Sequence, residues 1–155
     1  MMPRRFFVTS GKAYSPTSEL NAFDQALKNA GIAQCNLVSV TSVLPKDCKQ
    51  TKPVEIPVGA ITYAVIARMD GQEGEQIGAA ISWAFDKKEK YGIVAETHGY
   101  MDEKALLELA EWKIREMAKI REIKTAKINY KLQTLKVPMD NYGCVIVTLV
   151  FLPEP

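Results

Sequence analysis

Residues 36–45 are Asn36-Leu37-Val38-Ser39-Val40-Thr41-Ser42-Val43-Leu44-Pro45. Apolar and β-branched residues recur through this stretch, which predicts a β-strand from Cys35 to Val43 that Pro45 ends. The strand closes on a Thr-Ser pair, and a serine hydroxyl can attack the carbonyl carbon of the residue before it. That attack converts an amide into an ester, and elimination then breaks the chain and leaves a ketone at the new terminus. Thr-Ser pairs are common and nearly always inert, so only the surrounding sequence can indicate cleavage here.

Two amphipathic helices are predicted outside this stretch. The first begins after Ser18, a favourable N-cap, and ends at Gly31, where a left-handed residue is expected. Its apolar positions fall at helical spacing and are Leu20, Phe23, Leu27 and Ala30. Asp102 caps the longer second helix. The predicted apolar face of that helix consists of Leu106, Leu107, Ala110, Ile114, Met117, Ala118 and Arg121.

About seven strands are predicted around the two helices. The last one, 144–152, is almost continuously apolar and is expected to be buried on both faces or at a subunit contact. Gly11 is assigned to the turn after the first strand. The remaining strands are predicted at 6–10, 35–43, 60–68, 77–85, 92–98 and 125–137. Because each helix needs a sheet to cover, helices outside two stacked sheets form a compact solution, and the predicted fold class is α+β.

The composition is that of an ordinary globular protein. The 155 residues include 20 Lys and Arg against 18 Asp and Glu, a net charge of +2. That charge predicts neither a nucleic acid nor a membrane as a partner. Because there is no apolar run of about 18 residues and no signal-peptide core, a cytoplasmic protein is expected. At this length, residues 1–155 are predicted to form a single domain.

Few residues are available for metal or imidazole chemistry. His98 is the only histidine, and Cys35, Cys48 and Cys144 have no CxxC spacing. A zinc site is therefore not expected, and the cysteines are predicted to be reduced core residues. Ser-His-Asp and Cys-His arrangements are unavailable unless His98 itself serves. Any catalysis is expected to use carboxylates, hydroxyls, or a group that the protein makes or borrows.

Several stretches resemble the pyruvoyl-dependent arginine decarboxylase family, and they keep their order from about residue 8 to residue 150. The matching stretches are Leu20-Asn21-Ala22-Phe23-Asp24, Ala26-Leu27, Asn29-Ala30-Gly31-Ile32, Asn36-Leu37, Thr41-Ser42-Val43-Leu44-Pro45, Gly59-Ala60, Gly78-Ala79-Ala80-Ile81-Ser82, Gly92-Ile93-Val94-Ala95-Glu96 and Arg115-Glu116-Met117-Ala118. The resemblance implies a four-layer αββα sandwich of two antiparallel-rich sheets flanked by helices. It also implies that this domain cleaves itself into residues 1–41 and 42–155.

The resemblance further implies an activity and its requirements. The activity is conversion of L-arginine to agmatine and carbon dioxide in polyamine biosynthesis. The cofactor is a pyruvoyl group derived covalently from Ser42, with no metal and no pyridoxal phosphate. The implied assembly is a homo-oligomer, a trimer or a hexamer, with active sites between adjacent protomers.

Ser42, Glu96 and Asn36 match catalytic positions of the family, and Thr41 and Ser42 match its cleavage site. Ser42 becomes the pyruvoyl group, and Thr41 becomes the carboxyl terminus of the short chain. Glu96 matches the catalytic acid, a role that needs partial burial and a raised pKa so that it can protonate the substrate α-carbon. Asn36 matches the amide that assists self-cleavage. Many members have Ser at the Thr41 position, but Thr supplies the same carbonyl, so cleavage is expected to survive.

The substrate positions follow from the same resemblance. Asp24 matches the carboxylate that receives the substrate guanidinium, and Leu27, Val94 and Thr41 match positions that line the substrate site. Without the resemblance, Ser42 would be an ordinary strand-end serine, and Glu96 and Asp24 would be solvated carboxylates. Two other functions stay open. One is a non-catalytic, uncleaved oligomeric binding domain on the same fold, and the other is a decarboxylase of another basic amino acid.

Overall fold

A computed structural model describes residues 1–154, so Pro155 of the predicted domain lies outside the described residues. The described chain forms nine strands and two helices. In order they are β1 (Arg5–Ser15), α1 (Glu19–Asn29), β2 (Asn36–Ser39), β3 (Val43–Leu44), β4 (Lys49–Gln50), β5 (Ile61–Gln72), β6 (Gln76–Phe85), β7 (Gly92–Gly99), α2 (Glu103–Ile120), β8 (Asn129–Lys136) and β9 (Tyr142–Phe151). The prediction of about seven strands missed β4, because a strand of two residues leaves no alternation to detect, and it joined the start of β3 to β2 as one strand.

The strands form two sheets. The five-stranded sheet has the order β2-β5-β9-β1-β4, and the four-stranded sheet has the order β3-β7-β6-β8. Only the pairs β1–β4 and β2–β5 are parallel within the described chain. Strand β9 pairs with β1 on one side and β5 on the other, and Gly143 to Phe151 are all buried. The prediction of a terminal strand buried on both faces is confirmed.

The two sheets and two helices stack in four layers. The sheets face each other across a core that contains Val65, Val147 and Leu149 from the five-stranded sheet and Ile81 and Val94 from the four-stranded sheet. Helix α1 packs on the outer face of the five-stranded sheet, and α2 packs on the outer face of the four-stranded sheet. The predicted four-layer αββα sandwich is confirmed.

Helix α1 has the predicted ends but a different apolar face. The Ser18 side chain accepts a hydrogen bond from the Asn21 amide at 3.1 Å, and Gly31 has a φ of 79°. Leu20 was predicted on the apolar face, yet it is 70% exposed. That prediction is wrong because the buried stripe consists of the alanines Ala22 and Ala26.

Small residues on both sides let α1 approach the sheet closely. Gly11 lies within β1, and a Cβ atom there would come within 2.2 Å of the Ala26 carbonyl oxygen. The assignment of Gly11 to a turn is therefore wrong. Its missing side chain is needed for close helix–sheet packing, and not for a change of chain direction.

Helix α2 follows its prediction more closely. The Asp102 side chain accepts a hydrogen bond from the Ala105 amide at 2.9 Å. The buried stripe consists of Leu106, Ala110, Ile114 and Ala118, all of which were predicted, whereas Leu107 lies outside it and is 40% exposed. Within residues 1–154, neither helix combines the length and apolarity needed to cross a membrane.

The strand predicted for residues 35–43 is divided between the two sheets. Its first part, β2, pairs with β5 in the five-stranded sheet, and β3 pairs with β7 in the four-stranded sheet. Residues 40–42 connect them and belong to neither strand. Alternation cannot reveal such a change of sheet, because the residue types on both sides favour extended backbone.

Candidate active site

The Thr41–Ser42 peptide lies where the chain passes from one sheet to the other. On the N-terminal side of this peptide, the Val40 amide donates a hydrogen bond of 2.9 Å to the Ala64 carbonyl of β5 in the five-stranded sheet. The Val94 amide of β7 donates a hydrogen bond of 2.9 Å to the Ser42 carbonyl. The proposed scissile peptide is therefore held from both sides within three residues. Thr41 itself is exposed, and Ser42 is half-buried.

A cavity of about 610 Å³ opens beside this crossover, at the edge of the sandwich. Thr41 and Ser42 line it together with Val94 and Glu96 of β7. Val94 and Glu96 are two residues apart on one strand, so their side chains project from the same face. Four of the predicted site residues thus share one cavity.

Residues of α2 and β5 also line the cavity. Lys113 and Glu116 bring charge to it, and Ile66, Met117 and Ile120 make it partly apolar. The Lys113 Nζ atom donates a hydrogen bond of 3.4 Å to the backbone carbonyl of Glu96. Charged groups of both signs therefore stand beside an apolar surface, an arrangement typical of small-molecule sites.

Ser42 has a basic partner, Arg121, which the sequence predicts only as a member of the apolar face of α2. Arg121 Nη2 donates a hydrogen bond of 3.2 Å to Ser42 Oγ. Arg121 is the C-cap residue of α2. One signal was present in the sequence, because Arg121 continues the spacing of an otherwise apolar helix face. A charged side chain in that register would be expected to reach a polar partner at the rim of the core.

Glu96 does not have the burial that its predicted role requires. Its side chain is exposed in this chain, although Ala95 and Thr97 beside it are buried. The expectation of partial burial is therefore wrong for the chain taken alone. Any further covering of Glu96 has to come from substrate or from another molecule.

Asn36 is not brought to the scissile peptide within this chain. It begins β2, and its Nδ2 atom donates a hydrogen bond of 3.1 Å to the Gly59 carbonyl. Five residues of extended chain separate Asn36 from Thr41, a span of roughly 16 Å. The side-chain amide of Asn36 therefore has no access to the Thr41 carbonyl of the same chain.

Asp24 and Leu27 lie in another layer of the molecule. Both belong to α1, on the outer face of the five-stranded sheet, and neither lines the cavity. Leu27 packs against the core beneath α1, so its predicted place in the substrate pocket is not found within this chain. Asp24 is exposed, and its neighbour Phe23 lies 3.7 Å beneath the Arg68 guanidinium, which fixes this part of the helix.

The buried cysteines are separate from the cavity. Burial, and next to it the charge of Glu154, raises the pKa of Cys48 to about 11. Burial, followed by the charge of Asp70, raises the pKa of Cys144 to about 12. Both thiols stay protonated near neutral pH, which rules them out as thiolate nucleophiles. Cys35 is half-buried, so the prediction of core cysteines is confirmed for only two of the three.

The sequence matches one protein family over nearly its whole length. The family model described as "Pyruvoyl-dependent arginine decarboxylase (PvlArgDC)" matches residues 5–155. "Pyruvoyl-dependent arginine decarboxylase 2" of Methanosarcina mazei is 37% identical over 112 residues, which are 68% of this chain and 61% of the relative. "Pyruvoyl-dependent arginine decarboxylase" of Methanopyrus kandleri is 28% identical over 97% of both chains. The chain thus covers less than two thirds of the first relative and nearly all of the second.

One solved structure is similar in part. It is pyruvoyl-dependent histidine decarboxylase at pH 8, which aligns with 64% of this chain and 53% of its own at a TM-score of 0.46. The sequence identity is 14%.

Proposed function

Because this chain belongs to the pyruvoyl-dependent arginine decarboxylase family, we propose that it cuts itself between Thr41 and Ser42 and then decarboxylates L-arginine to agmatine and carbon dioxide. The observation that carries the proposal is the crossover itself. A serine hydroxyl follows the carbonyl of an exposed threonine where the chain passes from the five-stranded to the four-stranded sheet, beside a cavity that Glu96 also lines. In this reading the single domain of residues 1–155 matures into chains 1–41 and 42–155.

The crossover suits self-cleavage at Ser42. Its backbone is fixed by the hydrogen bonds of Val40 and Ser42 to the two sheets, so few conformations compete with the reactive one. Ser42 Oγ acts as the nucleophile and the Thr41 carbonyl as the electrophile. Because Ser42 is half-buried and Thr41 is exposed, the hydroxyl is held while water has access to the peptide. These residues fit a pyruvoyl group that forms from Ser42.

The residues around the cavity fit the decarboxylation that would follow. A pyruvoyl group at residue 42 supplies a carbonyl that accepts the electrons released when carbon dioxide leaves the substrate. Glu96 holds the proton that is delivered to the substrate α-carbon. Val94 and Ile66 present apolar surface to the substrate, and Thr41 borders it as the new carboxyl terminus. Neither a metal nor pyridoxal phosphate is required by this set.

The remaining predicted residues require a second protomer. Asp24 and Asn36 are exposed and lie away from the cavity, so we propose that a neighbouring protomer presents them to it. Two exposed apolar side chains on β2 and β5 support a contact surface nearby, with Val38 40% and Ile61 62% exposed. Covering by the neighbour would also bury Glu96. The proposed assembly is a trimer, or two trimers paired as a hexamer.

Arginine is the substrate that an Asp24 partner favours. A carboxylate binds a guanidinium through two parallel hydrogen bonds, which lysine and ornithine cannot form. Leu27 of α1 packs against the core beneath the helix, so it fixes the helix that carries Asp24 and does not line the pocket. We place the enzyme in the cytoplasm, where agmatine would enter polyamine biosynthesis.

The test is a substrate panel on the purified protein. Carbon dioxide release is measured with arginine, lysine, ornithine and histidine at equal concentrations. Turnover of arginine above all others supports the proposal. A preference for lysine or ornithine would support a decarboxylase of another basic amino acid. An uncut chain without any turnover would favour a non-catalytic binding domain.

A further inference from the structure

The guanidinium of Arg121 touches the atom at which self-cleavage begins. Arg121 Nη2 donates to Ser42 Oγ at 3.2 Å, although the two residues are 79 positions apart in sequence. Arginine side chains are long and rotatable, so a contact of this kind has consequences only if the backbone that carries it is fixed. The contact can therefore hold the guanidinium at Ser42 Oγ only if the backbone around Arg121 is rigid.

Several hydrogen bonds fix the backbone on either side of Arg121. The Arg121 amide donates to the Met117 carbonyl at 3.1 Å, and the Ile123 amide donates to the Ala118 carbonyl at 3.0 Å. Glu122 between them has a φ of 55°, the left-handed conformation that ends a helix. Further along, the buried Asp86 carboxylate accepts a hydrogen bond of 3.1 Å from the Lys124 amide. The segment that carries Arg121 is thus anchored on both sides.

A guanidinium can only donate hydrogen bonds, and it keeps its charge at all working pH values. Arg121 is therefore unsuited to remove the Ser42 hydroxyl proton. What it can do is stabilise negative charge on Ser42 Oγ. Its effect therefore falls on the step of self-cleavage at which that oxygen becomes negative.

Ser42 Oγ gains negative charge in the second step of the reaction, when it leaves as part of a carboxylate. In the first step Ser42 Oγ bonds to the Thr41 carbonyl carbon, the carbon–nitrogen bond breaks, and the hydroxyl proton ends on the freed nitrogen. In the second step water removes the Ser42 Cα proton, the Cα–Cβ double bond forms, and the Cβ–Oγ bond breaks. Oγ leaves as one oxygen of the Thr41 carboxylate. Water then releases the nitrogen as ammonia and leaves the ketone.

We propose that Arg121 is a catalytic residue of self-cleavage, which stabilises the Thr41 carboxylate as it leaves and then pairs with it as the new chain end. The proposal rests on the proposed function. Arg121 already contacts the oxygen that acquires the charge, and a guanidinium fork matches the two oxygens of a carboxylate. The neighbouring cation Lys113 contacts the Glu96 carbonyl instead.

The test follows maturation of Arg121→Gln, Arg121→Lys and wild-type chains over time by intact mass. Gln retains a hydrogen-bond donor but loses the charge, whereas Lys retains the charge without the fork. Arg115→Gln is the matched control, because Arg115 lies on the same helix and contacts Glu111 at 3.0 Å. Hydroxylamine is added to samples at each time, because it cleaves an ester at Ser42 and releases residues 1–41 as the Thr41 hydroxamate. Thermal unfolding checks that each variant is folded.

We expect Arg121→Gln to mature about ten- to a hundredfold more slowly, the range for loss of a charge-stabilising donor. The hydroxylamine-sensitive ester should accumulate in it, Arg121→Lys should lie between it and the wild type, and Arg115→Gln should mature like the wild type. Equal rates for Arg121→Gln and wild-type chains would overturn the role of Arg121 but not the proposed function. Slow maturation without ester accumulation would overturn its action on the leaving carboxylate. An uncut wild-type chain would overturn the proposed function and this assignment with it.

Discussion

The Val94 amide donates a hydrogen bond of 2.9 Å to the Ser42 carbonyl oxygen, and this bond joins the proposed cut site to the strand that carries Glu96. Since Val94 and Glu96 project from the same face of β7, the bond sets the distance between the proposed nucleophile and the proposed acid within one chain. Cleavage and turnover then occur at one site while depending on different side chains. Variants are expected to separate the two.

Replacement of Glu96 by glutamine should spare cleavage and remove most turnover. The amide has nearly the same shape but no proton to deliver to the substrate α-carbon, so kcat for arginine should fall about 10²- to 10⁴-fold. Intact mass should still detect residues 1–41 and 42–155. Glu108→Gln is the control, because Glu108 is an exposed residue of α2 outside the cavity. Full turnover by the Glu96→Gln enzyme would rule out its role as the acid.

Replacement of Asp24 by asparagine should weaken arginine binding. The variant loses the charge-assisted pair with the guanidinium, so KM for arginine should rise about tenfold or more. Glu19→Gln on the same helix serves as the control, since Glu19 faces Arg68 at 3.8 Å. An unchanged KM in the Asp24→Asn enzyme would reject this residue as the substrate carboxylate.

The proposed position of the site between protomers predicts complementation. Glu96→Gln and Asp24→Asn chains, each impaired alone, should recover activity when they are co-expressed, because some sites then combine intact Glu96 with intact Asp24 from different chains. Random mixing would restore about a quarter of the sites. Activity no higher than the average of the two separate variants would indicate that both residues serve one chain's own site.

The sequence predicts the parts of the fold that rest on local pattern. Ser18 and Asp102 cap their helices as expected, and the apolar run that contains Cys144 forms the buried central strand, because caps and burial depend on nearby residues. The split of residues 35–43 between two sheets was not predictable, since pairing partners are distant in sequence. The contact between Arg121 and Ser42 was missed for the same reason.

The positions of the site residues could likewise be predicted only where they depend on local sequence. Val94 and Glu96 lie two apart on one strand, and β7 pairs with β3 just after Ser42, so these residues meet within the chain. Asp24 and Asn36 match the family equally well in sequence and yet lie elsewhere. A motif records which residues are present, whereas their meeting in space depends on the layer to which each element packs.

Gly11→Ala should destabilise the fold. The added methyl group would meet the Ala26 carbonyl at 2.2 Å, so α1 has to move away from β1. Overpacking of this kind costs about 1–3 kcal/mol, measurable as the free energy of unfolding in urea. Lys12→Ala, at the exposed neighbouring position, should change stability by less than about 0.5 kcal/mol. Equal stability of the two variants would mean that the helix does not rest on Gly11.

Alkaline pH should destabilise the protein through Cys144. Its thiol has an ordinary pKa of 9.0, raised to about 12 in the folded chain. The fold therefore gains stability from the protonated thiol below pH 9, and loses it as pH rises toward 12. Unfolding free energy should fall more steeply above pH 9 in the wild type than in Cys144→Ala, by up to about 1.4 kcal/mol per pH unit. Parallel curves for the two proteins would contradict this effect.

Intact mass of the purified protein, measured beside Ser42→Ala, tests most directly whether the bond between Thr41 and Ser42 breaks. The wild type should give residues 1–41 and a chain of residues 42–155 without a free amino group at its start, whereas Ser42→Ala should remain one chain of 155 residues. Thr41→Ser should also be cut, because it supplies the same carbonyl. A wild-type chain that stays whole after prolonged incubation, or that is cut elsewhere, would contradict self-cleavage at Ser42.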